Sequence, residues 1–275
     1  MTHSQSSTTP AGENTPATPV SYNRLAGRVA IITGGGNGIG RAYATRMAAE
    51  GAHVVIAELD KNAGEAAAEE IRNSGRSAIA VHTDVADEAS TLALAEACRA
   101  QFGRIDILVN NAAIFASVQM SRTYFDEIPI PEWDSMMAVN LRGTWLCCRA
   151  VVPVMKERGY GKIINISSGT AFRGPATRIH YVTTKAGILG YTKVLAREVG
   201  QFGICVNCIA PGNTASEEEP DPLTLELRTG AVSNRALKRV EVPEDLTGAA
   251  VFFASADSDF ITGQTLVVDG GATMH

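Results

Sequence analysis

The chain has 275 residues, of which 45% are apolar, and its 24 basic and 29 acidic side chains give a net charge of −5. Both signs of charge are spread along the sequence, so there is no basic stripe of the kind that favours a nucleic acid partner. No apolar run reaches the roughly 18 residues that a membrane span needs, and the first residues lack the basic and apolar regions of a signal peptide. We therefore expect a soluble, cytoplasmic protein that binds neither nucleic acid nor membrane.

The beginning of the chain differs in composition from the rest. Residues 1–22 are dominated by Ser, Thr, Pro and Ala and contain almost no large apolar side chain. A segment of this composition cannot bury enough apolar surface to offset the entropy that it loses on ordering. We predict a flexible tail over residues 1–22 and a single folded domain over residues 23–275.

From residue 23 onward, apolar segments of strand length alternate with segments of helical period. The seven apolar segments read RVAIIT, HVVIAE, SAIAVHT, IDILVNN, KIINIS, ICVNCIA and QTLVVD. Strands that are apolar on both faces and separated by helices are typical of a parallel sheet covered on both sides. The pattern predicts an α/β protein with a doubly wound, seven-stranded parallel sheet and helices on both faces.

A glycine-rich turn follows the first strand. Between this strand and a helix that begins near Gly38, the glycines leave backbone N–H groups and the positive end of the helix dipole at the sheet edge, where a pyrophosphate binds. Glu58 ends the next strand, at the position where dinucleotide-binding folds use a carboxylate for the adenosine ribose hydroxyls. The two features together predict a single-domain Rossmann fold that binds a dinucleotide.

A second group of polar residues carries the chemistry. Tyr181 and Lys185 are four residues apart in a segment of helical period, so the phenol and the ammonium lie on one face. A neighbouring cation lowers the pKa of a phenol from about 10 toward working pH, which suits a general base for an alcohol. Ser168 closes a buried strand, where its hydroxyl can hold the substrate oxygen. Asn140 lies in an apolar helix, where an amide is costly to bury unless it is used.

These residues belong to an ordered set of motifs that resembles the short-chain dehydrogenase/reductase family. In chain order the motifs are TGGGNGIG from Thr33 to Gly40, Asp84-Val85, NNAA from Asn110 to Ala113, Asn140, Ser168, YVTTK from Tyr181 to Lys185, and Pro211-Gly212. The resemblance covers roughly residues 25–271, and the ordered set is far more specific than any one motif. The NNAG of the family reads NNAA here, so Ala113 replaces a glycine. The C-terminal run is similar to secondary alcohol dehydrogenases of the 1-phenylethanol type, and the chain as a whole also resembles 3-oxoacyl reductases.

The resemblance implies an enzyme that transfers hydride between a secondary alcohol or ketone and a nicotinamide dinucleotide. It makes Tyr181 the general base and Ser168, rather than Ser167, the residue that polarises the substrate oxygen. By the same resemblance, Lys185 also holds the nicotinamide ribose, and Asn140 holds a water that links Lys185 to solvent. The predicted catalytic set is Asn140, Ser168, Tyr181 and Lys185.

The predicted cofactor is NAD. A carboxylate at Glu58 would repel the 2′-phosphate of NADP, and neither Asn37 nor Leu59 supplies a basic partner for that phosphate. By resemblance, Asp84 meets the adenine amino group, Asn110 lines the adenosine pocket, and the backbone after Pro211-Gly212 meets the nicotinamide amide. The full predicted set is Gly34, Asn37, Gly38, Ile39, Gly40, Glu58, Leu59, Asp84, Val85, Asn110, Ala112, Tyr181, Lys185, Pro211, Gly212, Thr214 and Ser216.

The sequence specifies the substrate-binding residues less closely than the cofactor-binding residues. The variable parts are residues 114–131, 169–180 and 214–242, and the last, which contains EEEPDP, is expected to be a substrate lid. The predicted substrate-binding residues are Phe115, Ser168, Thr170, Phe172 and His180. An apolar lining favours a ring or alkyl ketone, whereas Arg173, Arg178 and His180 could instead meet a carboxylate or a polyol. A sugar, a dihydrodiol, a hydroxysteroid and a 3-oxoacyl thioester remain alternatives.

Two further expectations concern the cysteines and assembly. Cys205 and Cys208 lie three apart on a strand and therefore face opposite sides, so all five cysteines are expected to be reduced packing residues and no metal is predicted. The apolar helices predicted over residues 133–155 and 181–199 carry more apolar surface than one sheet face covers, and in the family such helices pair, so we expect a homotetramer.

The rival hypothesis is a catalytically silent dinucleotide-binding sensor or scaffold on the same fold. Silent relatives usually lose the tyrosine or the lysine of the YxxxK motif. Because both Tyr181 and Lys185 are present, the sequence favours an enzyme.

Overall fold

A computed structural model describes residues 23–115, 120–217 and 222–274 of the chain. The predicted tail, residues 1–22, lies outside the described residues, and so does part of the predicted lid. Helix and strand boundaries follow in chain order. The strands are β1 (Val29–Thr33), β2 (His53–Glu58), β3 (Ala78–His82), β4 (Ile107–Asn110), β5 (Gly161–Ile166), β6 (Ile204–Pro211) and β7 (Thr265–Val268). The α-helices are α1 (Gly38–Ala49), α2 (Lys61–Asn73), α3 (Glu88–Phe102), α4 (Ile130–Met136), α5 (Gly143–Arg158), α6 (Thr170–Arg173), α7 (Ile179–Val199), α8 (Pro222–Ser233) and α9 (Glu244–Ala254).

The described strands form one parallel sheet of seven strands in the order β3-β2-β1-β4-β5-β6-β7. The residues of β1, β4 and β5 are buried throughout. Helices cover both faces of such a sheet, which is why its central strands are continuously apolar rather than alternating. The predicted fold class, a doubly wound α/β Rossmann fold, is confirmed.

Two hydrophobic cores lie on the two faces of the sheet. Successive residues of β1 alternate between them, since Ile32 packs in one core and Ile31 in the other. The first core is closed by α1, α2 and α9, and its members include Tyr43, Met47, Ile71, Leu246 and Val251. The second is closed by α3, α5 and α7, and its members include Leu94, Cys98, Cys147, Val151 and Val199.

The order of the strands reverses at β1, whose neighbours are β2 on one side and β4 on the other. In an open parallel sheet, ligands bind outside the carboxyl ends of the strands at such a switch point. Thr33, Glu58, Asn110, Ile166 and Pro211 end β1, β2, β4, β5 and β6 and therefore lie along the same edge. The fold thus gathers at one edge motifs that are far apart in the sequence.

Two segments differ in detail from the sequence-based expectations. The apolar helix predicted over residues 133–155 is α4 and α5 joined by a π-helical turn, Met137–Arg142. The predicted lid, residues 214–242, contains helix α8, and its two ends meet in a parallel bridge between Thr214 and Glu241. Residues 218–221 of the EEEPDP stretch lie outside the described residues, and helix α8 begins at its last residue, Pro222, where a first-turn proline is well tolerated.

The described residues contain five free cysteines, no helix that could span a membrane and no cluster of metal ligands. All five cysteines are free; Cys208 is buried and Cys205 is partly exposed, as expected for positions three apart on β6. Among the described residues, none of the helices combines the length and the apolar character needed to cross a bilayer. Within the same residues, no group of three or more His, Cys, Asp or Glu side chains could hold a metal ion.

Candidate active site

The glycine turn after β1 is packed so tightly that it excludes side chains. A Cβ on Gly40 would lie 1.9 Å from the carbonyl oxygen of Gly34, which itself has a φ of +61°. The side-chain amide of Asn111 donates hydrogen bonds to the carbonyls of Thr33 (3.0 Å) and Gly34 (3.1 Å). Gly40 therefore lets α1 approach β1, and Asn111 holds the turn from the adjacent strand.

Helix α1 begins against this turn without a side-chain cap. Its N-cap residue, Asn37, is exposed and makes no capping hydrogen bond. The first N–H groups of a helix have no helical partner, so this end can donate to phosphate oxygens and its dipole favours negative charge. The carbonyl oxygen of Ser216 lies 2.9 Å from the place of a Cβ on Gly38, and Ile39 packs on the core. The structure thus brings the predicted glycine-turn residues together with Ser216.

The carboxylate of Glu58 is held by three backbone N–H groups. Its Oε2 accepts from Gly36 N at 3.0 Å, and its Oε1 accepts from Leu59 N at 2.8 Å and from Asp60 N at 3.3 Å. These bonds fix the charge between the glycine turn and the end of β2, while the side chain of Leu59 is exposed.

An open cavity of about 390 Å³ lies beside Glu58. Its lining includes Lys61, at the start of α2, and His82, which stands opposite Glu58 in the β2–β3 register. The prediction of NAD from the sequence rests partly on the absence of a basic side chain at Asn37 and Leu59. The fold adds two side chains that can carry positive charge, so the absence of a basic partner is not a sound argument by itself.

Three predicted cofactor residues, Asp84, Val85 and Asn110, lie near this edge of the sheet. Only Asp84 carries a carboxylate, and it lies in the loop after β3. Asp84 Oδ1 accepts from Ala86 N at 2.8 Å, and Val85 packs against Gly143. Asn110 is buried, and its Nδ2 donates to Asn165 Oδ1 at 2.9 Å and to a cysteine sulfur. Its amide therefore links β4 to β5 inside the sheet, and its place at the adenosine pocket stays a prediction.

Thr33 and Asn111 are two site residues that the sequence analysis missed. The hydroxyl of Thr33 donates to Val109 O at 3.3 Å and accepts from the backbone N–H groups of Asn111 and Ala112, both at 3.0 Å. Together they fasten the loop after β4 to the glycine turn. Both residues stand inside the recognised TG and NNAA motifs, so their positions at strand ends could have identified them.

Around Tyr181 the structure assembles a second cluster. Ser168 follows β5, and its hydroxyl is hydrogen-bonded to the phenol of Tyr181. Thr170 donates to Ser168 Oγ from its N–H (3.2 Å) and from its hydroxyl (3.0 Å). The ring of Phe115 lies 5.1 Å from the ring of Tyr181, centroid to centroid. Four predicted residues therefore meet at one point of the sheet edge.

Lys185 lies one helical turn beyond Tyr181 and is buried. Its Nζ donates to the carbonyl of Ile166 at 2.9 Å and lies 5.7 Å from the centroid of the Tyr181 ring. The hydroxyl of Ser167 donates to Lys185 O at 2.6 Å. Ser167 is thus used to fix α7 on β5, and Ser168 is the serine whose hydroxyl faces the phenol.

The pKa values in this cluster differ from our expectation. Burial raises the pKa of Tyr181 to about 12, although the hydrogen bond from Ser168 and the positive charge of Arg178 lower it in part. Burial also lowers the pKa of Lys185 to about 8, against an opposing effect of Cys208. We expected Lys185 to lower the pKa of Tyr181, and in this respect the expectation was wrong. The ammonium is bonded to a backbone carbonyl and approaches the ring, whereas Ser168 meets the phenol oxygen.

Asn140 occupies the π-helical turn. Its Oδ1 accepts from Ile114 N at 2.7 Å, and its Nδ2 approaches Met136 Sδ (3.0 Å) and Thr184 Oγ1 (3.4 Å). The buried amide is therefore used, as the sequence predicted, and it connects the loop after β4 to the residue next to Lys185. Single π-helical turns inside α-helices are frequently found at functional sites.

A buried acid, Glu241, holds the segment after β6 through hydrogen bonds, and the sequence analysis did not identify it. Glu241 Oε1 accepts from Gly212 N (3.1 Å) and from Thr214 Oγ1 (2.9 Å), and a Cβ on Gly212 would lie 2.4 Å from Glu241 Oε2. Burial raises the pKa of Glu241. Because Gly212 N also bonds to Val268 O, this N–H is already used within the protein. No local pattern marks Glu241, since its partners lie almost thirty residues earlier.

The predicted substrate residues divide into two groups. Phe115, Ser168 and Thr170 surround Tyr181, and Phe172 lies in α6 with a partly exposed ring. His180 is fully buried, and its Nε2 lies 3.0 Å from Glu132 Oε1. The structure does not bring His180 to the cluster around Tyr181, because the side chain of His180 is directed to α4.

A glycine turn at the switch point of a parallel sheet, together with a Ser-Tyr-Lys cluster at the same edge, is the arrangement of a nicotinamide-dependent oxidoreductase. Comparison with known proteins agrees. The family described as enoyl-(acyl carrier protein) reductase matches residues 34–273. The short-chain reductase protein NovJ of Streptomyces niveus is 40% identical over 255 residues, covering 88% of this chain and 93% of NovJ. D-threitol dehydrogenase of Mycolicibacterium smegmatis is 37% identical over 259 residues, covering 91% of this chain and 95% of that protein.

Solved structures agree as well. A short-chain dehydrogenase/reductase variant of Serratia marcescens superposes with a TM-score of 0.83 at 31% identity, covering 91% of this chain and all of that chain. The chain belongs to the short-chain dehydrogenase/reductase family, whose members are oxidoreductases that generally use a nicotinamide cofactor.

Proposed function

We propose that the protein is an NAD-dependent dehydrogenase that interconverts a secondary alcohol and its ketone. The observation that carries the proposal is the bonded pair of Ser168 and Tyr181, with Lys185 beneath the phenol ring, at the sheet edge that also holds the glycine turn. A sensor or scaffold would not need a buried phenol, a buried ammonium and a serine hydroxyl in contact.

In the direction of oxidation, the phenolate of Tyr181 accepts the hydroxyl proton of the substrate. Thr170 donates twice to Ser168 Oγ, so the hydroxyl hydrogen of Ser168 is left to donate to the phenol or the substrate oxygen. A positive charge at Arg178 favours the phenolate. Lys185 would pass the proton to a water that Asn140 holds, and this water would carry it on toward solvent. The nicotinamide, when bound, supplies the hydride acceptor.

The residues at the glycine turn fit a dinucleotide. The uncapped first turn of α1 offers N–H groups to the pyrophosphate, and Gly40 keeps that turn close to β1. The three N–H groups that hold Glu58 keep its carboxylate in position for the ribose hydroxyls and against a 2′-phosphate. The fixed position of the Glu58 carboxylate supports NAD over NADP. Lys61 and His82 are the side chains that would weaken this preference. Asp84 and the backbone near Thr214 and Ser216 complete the proposed cofactor contacts.

We also propose a cytoplasmic homotetramer. Trp145 on α5 and Ile179 and Val194 on α7 are large apolar side chains that are 45–58% exposed on the single chain. Pairing of these two helices across a twofold axis would cover them. The five free cysteines suit a reducing compartment. Light scattering at micromolar concentration is expected to give the mass of four chains, and a stable monomer would contradict the proposal.

The function is tested with a panel of secondary alcohols, diols, sugars, hydroxysteroids and hydroxy acids, each with NAD and with NADP, by following the absorbance of the reduced nicotinamide. We expect turnover with at least one class and higher kcat/KM with NAD. Binding of NADH without reduction of either cofactor by any substrate class would instead support the sensor hypothesis.

A further inference from the structure

Arg178 lies within electrostatic range of Tyr181 and of two further arginines, Arg122 and Arg173. Arg178 comes three residues before Tyr181, directly ahead of α7, and Arg173 ends α6. Arg122 lies in the segment between β4 and α4. The guanidinium of Arg173 is close to the serine of the site, since its Nη2 lies 3.5 Å from the place of a Cβ on Gly169. The charge of Arg178 acts on Arg122, Arg173 and Tyr181 alike, so the four side chains form one electrostatic cluster.

None of the three guanidiniums is neutralised by a carboxylate in the described part of the chain. Other arginines there, such as Arg104 with Asp106 and Arg239 with Asp245, form close ion pairs. Arg122, Arg173 and Arg178 form none within 4.0 Å, and Arg178 Nε is buried without a hydrogen-bond partner. Burial, and then the charge of Arg122, lowers the pKa of Arg178. A half-buried, unpaired guanidinium beside two others is an arrangement that costs free energy unless an anion joins it.

Two acids, Glu132 and Asp269, make hydrogen bonds to groups outside the cluster. Glu132 accepts from Ser121 N at 2.7 Å and pairs with His180. Asp269 Oδ1 accepts from the N–H groups of Gly271 and Ala272 at 3.0 and 2.9 Å. Asp269 Oδ2 has no partner and lies on the same side as Arg173, but the two side chains form no ion pair. Arg173 therefore has an unbonded carboxylate oxygen on the same side of Gly169, which makes it the weakest member of the cluster.

Resting on the proposed function, we infer that the substrate carries an oxyanion, a carboxylate or a phosphate, which Arg178 binds together with Arg122 and Arg173 while the carbinol carbon lies at Tyr181 and Ser168. A guanidinium donates two parallel hydrogen bonds to either group, which fixes orientation as well as charge. The apolar ring of Phe115 beside Tyr181 covers the part of the substrate between the two ends. The specificity of the enzyme is therefore for charged secondary alcohols rather than for purely apolar ketones.

The test compares substrates that differ in one charge. The probes are 2-, 3-, 4- and 5-hydroxy acids against their methyl esters, and sn-glycerol 3-phosphate against glycerol, each assayed with NAD. The variants are Arg178→Gln, which removes the charge, Arg178→Lys, which keeps it without the planar fork, and Arg99→Gln, which removes an exposed charge on α3 as a matched control. NADH affinity is measured on all of them by fluorescence.

We expect the best anionic probe to exceed its neutral counterpart at least tenfold in kcat/KM. Arg178→Gln should lower kcat/KM for that probe roughly tenfold to a hundredfold, which corresponds to the loss of a hydrogen-bonded charge. Because Arg178 also lowers the pKa of Tyr181, the neutral counterpart should lose some kcat/KM as well, but the ratio of anionic to neutral kcat/KM should still fall at least tenfold, and NADH affinity should stay unchanged. Arg178→Lys should recover part of the loss, and Arg99→Gln should behave as wild type. A preference for acids or for the phosphate identifies the oxyanion.

Equal turnover of acids and esters, or equal losses for both in Arg178→Gln, would overturn the inference while leaving the dehydrogenase function intact. A parallel loss of NADH affinity would assign the arginines to the cofactor and would also overturn it. If no probe is turned over, the dehydrogenase function is in question. The anion site is then tested by measuring binding instead of turnover. Calorimetric titration of the NADH complex with hexanoate and with methyl hexanoate, and with inorganic phosphate, must then show Arg178-dependent binding of an anion, and its absence contradicts the inference.

Discussion

The two sides of the site differ in how their polar groups are satisfied. On the cofactor side, Glu58 accepts three backbone hydrogen bonds, the amide of Asn111 donates two, and the hydroxyl of Thr33 makes three. On the substrate side, Arg122 and Arg178 have no carboxylate partner among the described residues. The first arrangement is complete within the protein, and we propose that a bound substrate completes the second.

The difference follows from what each side must recognise. The dinucleotide is the same in every turnover, so the protein can fix the glycine turn and its carboxylate rigidly, with no room for a Cβ at Gly40. We propose that the substrate side is formed by residues 111–115 and 120–129, helix α6 and residues 212–217. Loops on a rigid scaffold carry specificity because they can change without disturbing the core. The predictions below test each side separately.

The largest effect is expected at the residue between the two sides. Tyr181→Phe removes the proton acceptor but keeps the ring that packs on Phe115, so kcat should fall roughly 10²- to 10⁴-fold while NADH affinity stays nearly intact. Tyr160→Phe is the matched control, since the Tyr160 hydroxyl is buried without a partner and its loss should not lower activity. Steady-state kinetics and fluorescence titration measure the two quantities. Retention of more than a few per cent of kcat in Tyr181→Phe would show that another group is the base.

A change confined to the cofactor side should come next. Gly40→Ala places a methyl group 1.9 Å from Gly34 O, so α1 must move away from β1. We expect NADH to bind at least about 30-fold more weakly, a loss of roughly 2 kcal/mol, together with a lower Tm. Gly230→Ala is the control, because a Cβ there in α8 meets nothing within 4 Å. Equal NADH affinity in the two variants would contradict the proposed role of the turn.

Cofactor choice should respond to Glu58 by a smaller factor. Glu58→Ala removes the charge that opposes a 2′-phosphate and leaves Lys61 and His82 in the same cavity. The ratio of kcat/KM for NAD to that for NADP should fall by about tenfold, on the order of one charge–charge contact at the surface. Glu65→Ala, which removes another acid from that cavity, should alter the ratio little. A higher kcat/KM of the wild-type enzyme with NADP than with NAD would refute the assignment of NAD as the cofactor.

The smallest expected effect is on stability, and it depends on pH. Because burial lowers the pKa of Lys185 to about 8 from 10.5, the native state loses this proton before the unfolded state does. The unfolded state then binds more protons between pH 8 and pH 10.5, so the Lys185 contribution to stability rises with pH across this window. Lys185→Met should flatten that rise and increase Tm at pH 7 by a few degrees. Thermal unfolding of both proteins at pH 7, 8, 9 and 10 tests this, and parallel curves would contradict a buried, charged Lys185.

The sequence was sufficient for the fold and for the motifs at strand ends. Seven apolar segments with a 3.6-residue period between them define the sheet, and the ordered motifs identify the family. What the sequence could not supply is contact between distant residues. Examples are Glu241 on Gly212, His82 beside Glu58, and the use of the Asn110 amide inside the sheet. The local i, i+4 spacing suggested that Lys185 acts on Tyr181. Burial, then the hydrogen bond from Ser168 and the charge of Arg178, set the pKa of Tyr181 instead, and spacing alone does not reveal them.

Transfer of deuterium tests the central claim most directly. The best secondary alcohol from the panel, labelled with deuterium at the carbinol carbon, is incubated with the enzyme and NAD, and the reduced cofactor is analysed by mass spectrometry. We predict one deuterium per reduced nicotinamide, delivered to a single face of the ring, and no label in Tyr181→Phe above background. Reduced cofactor without deuterium, or label released to water, would contradict direct hydride transfer at this site.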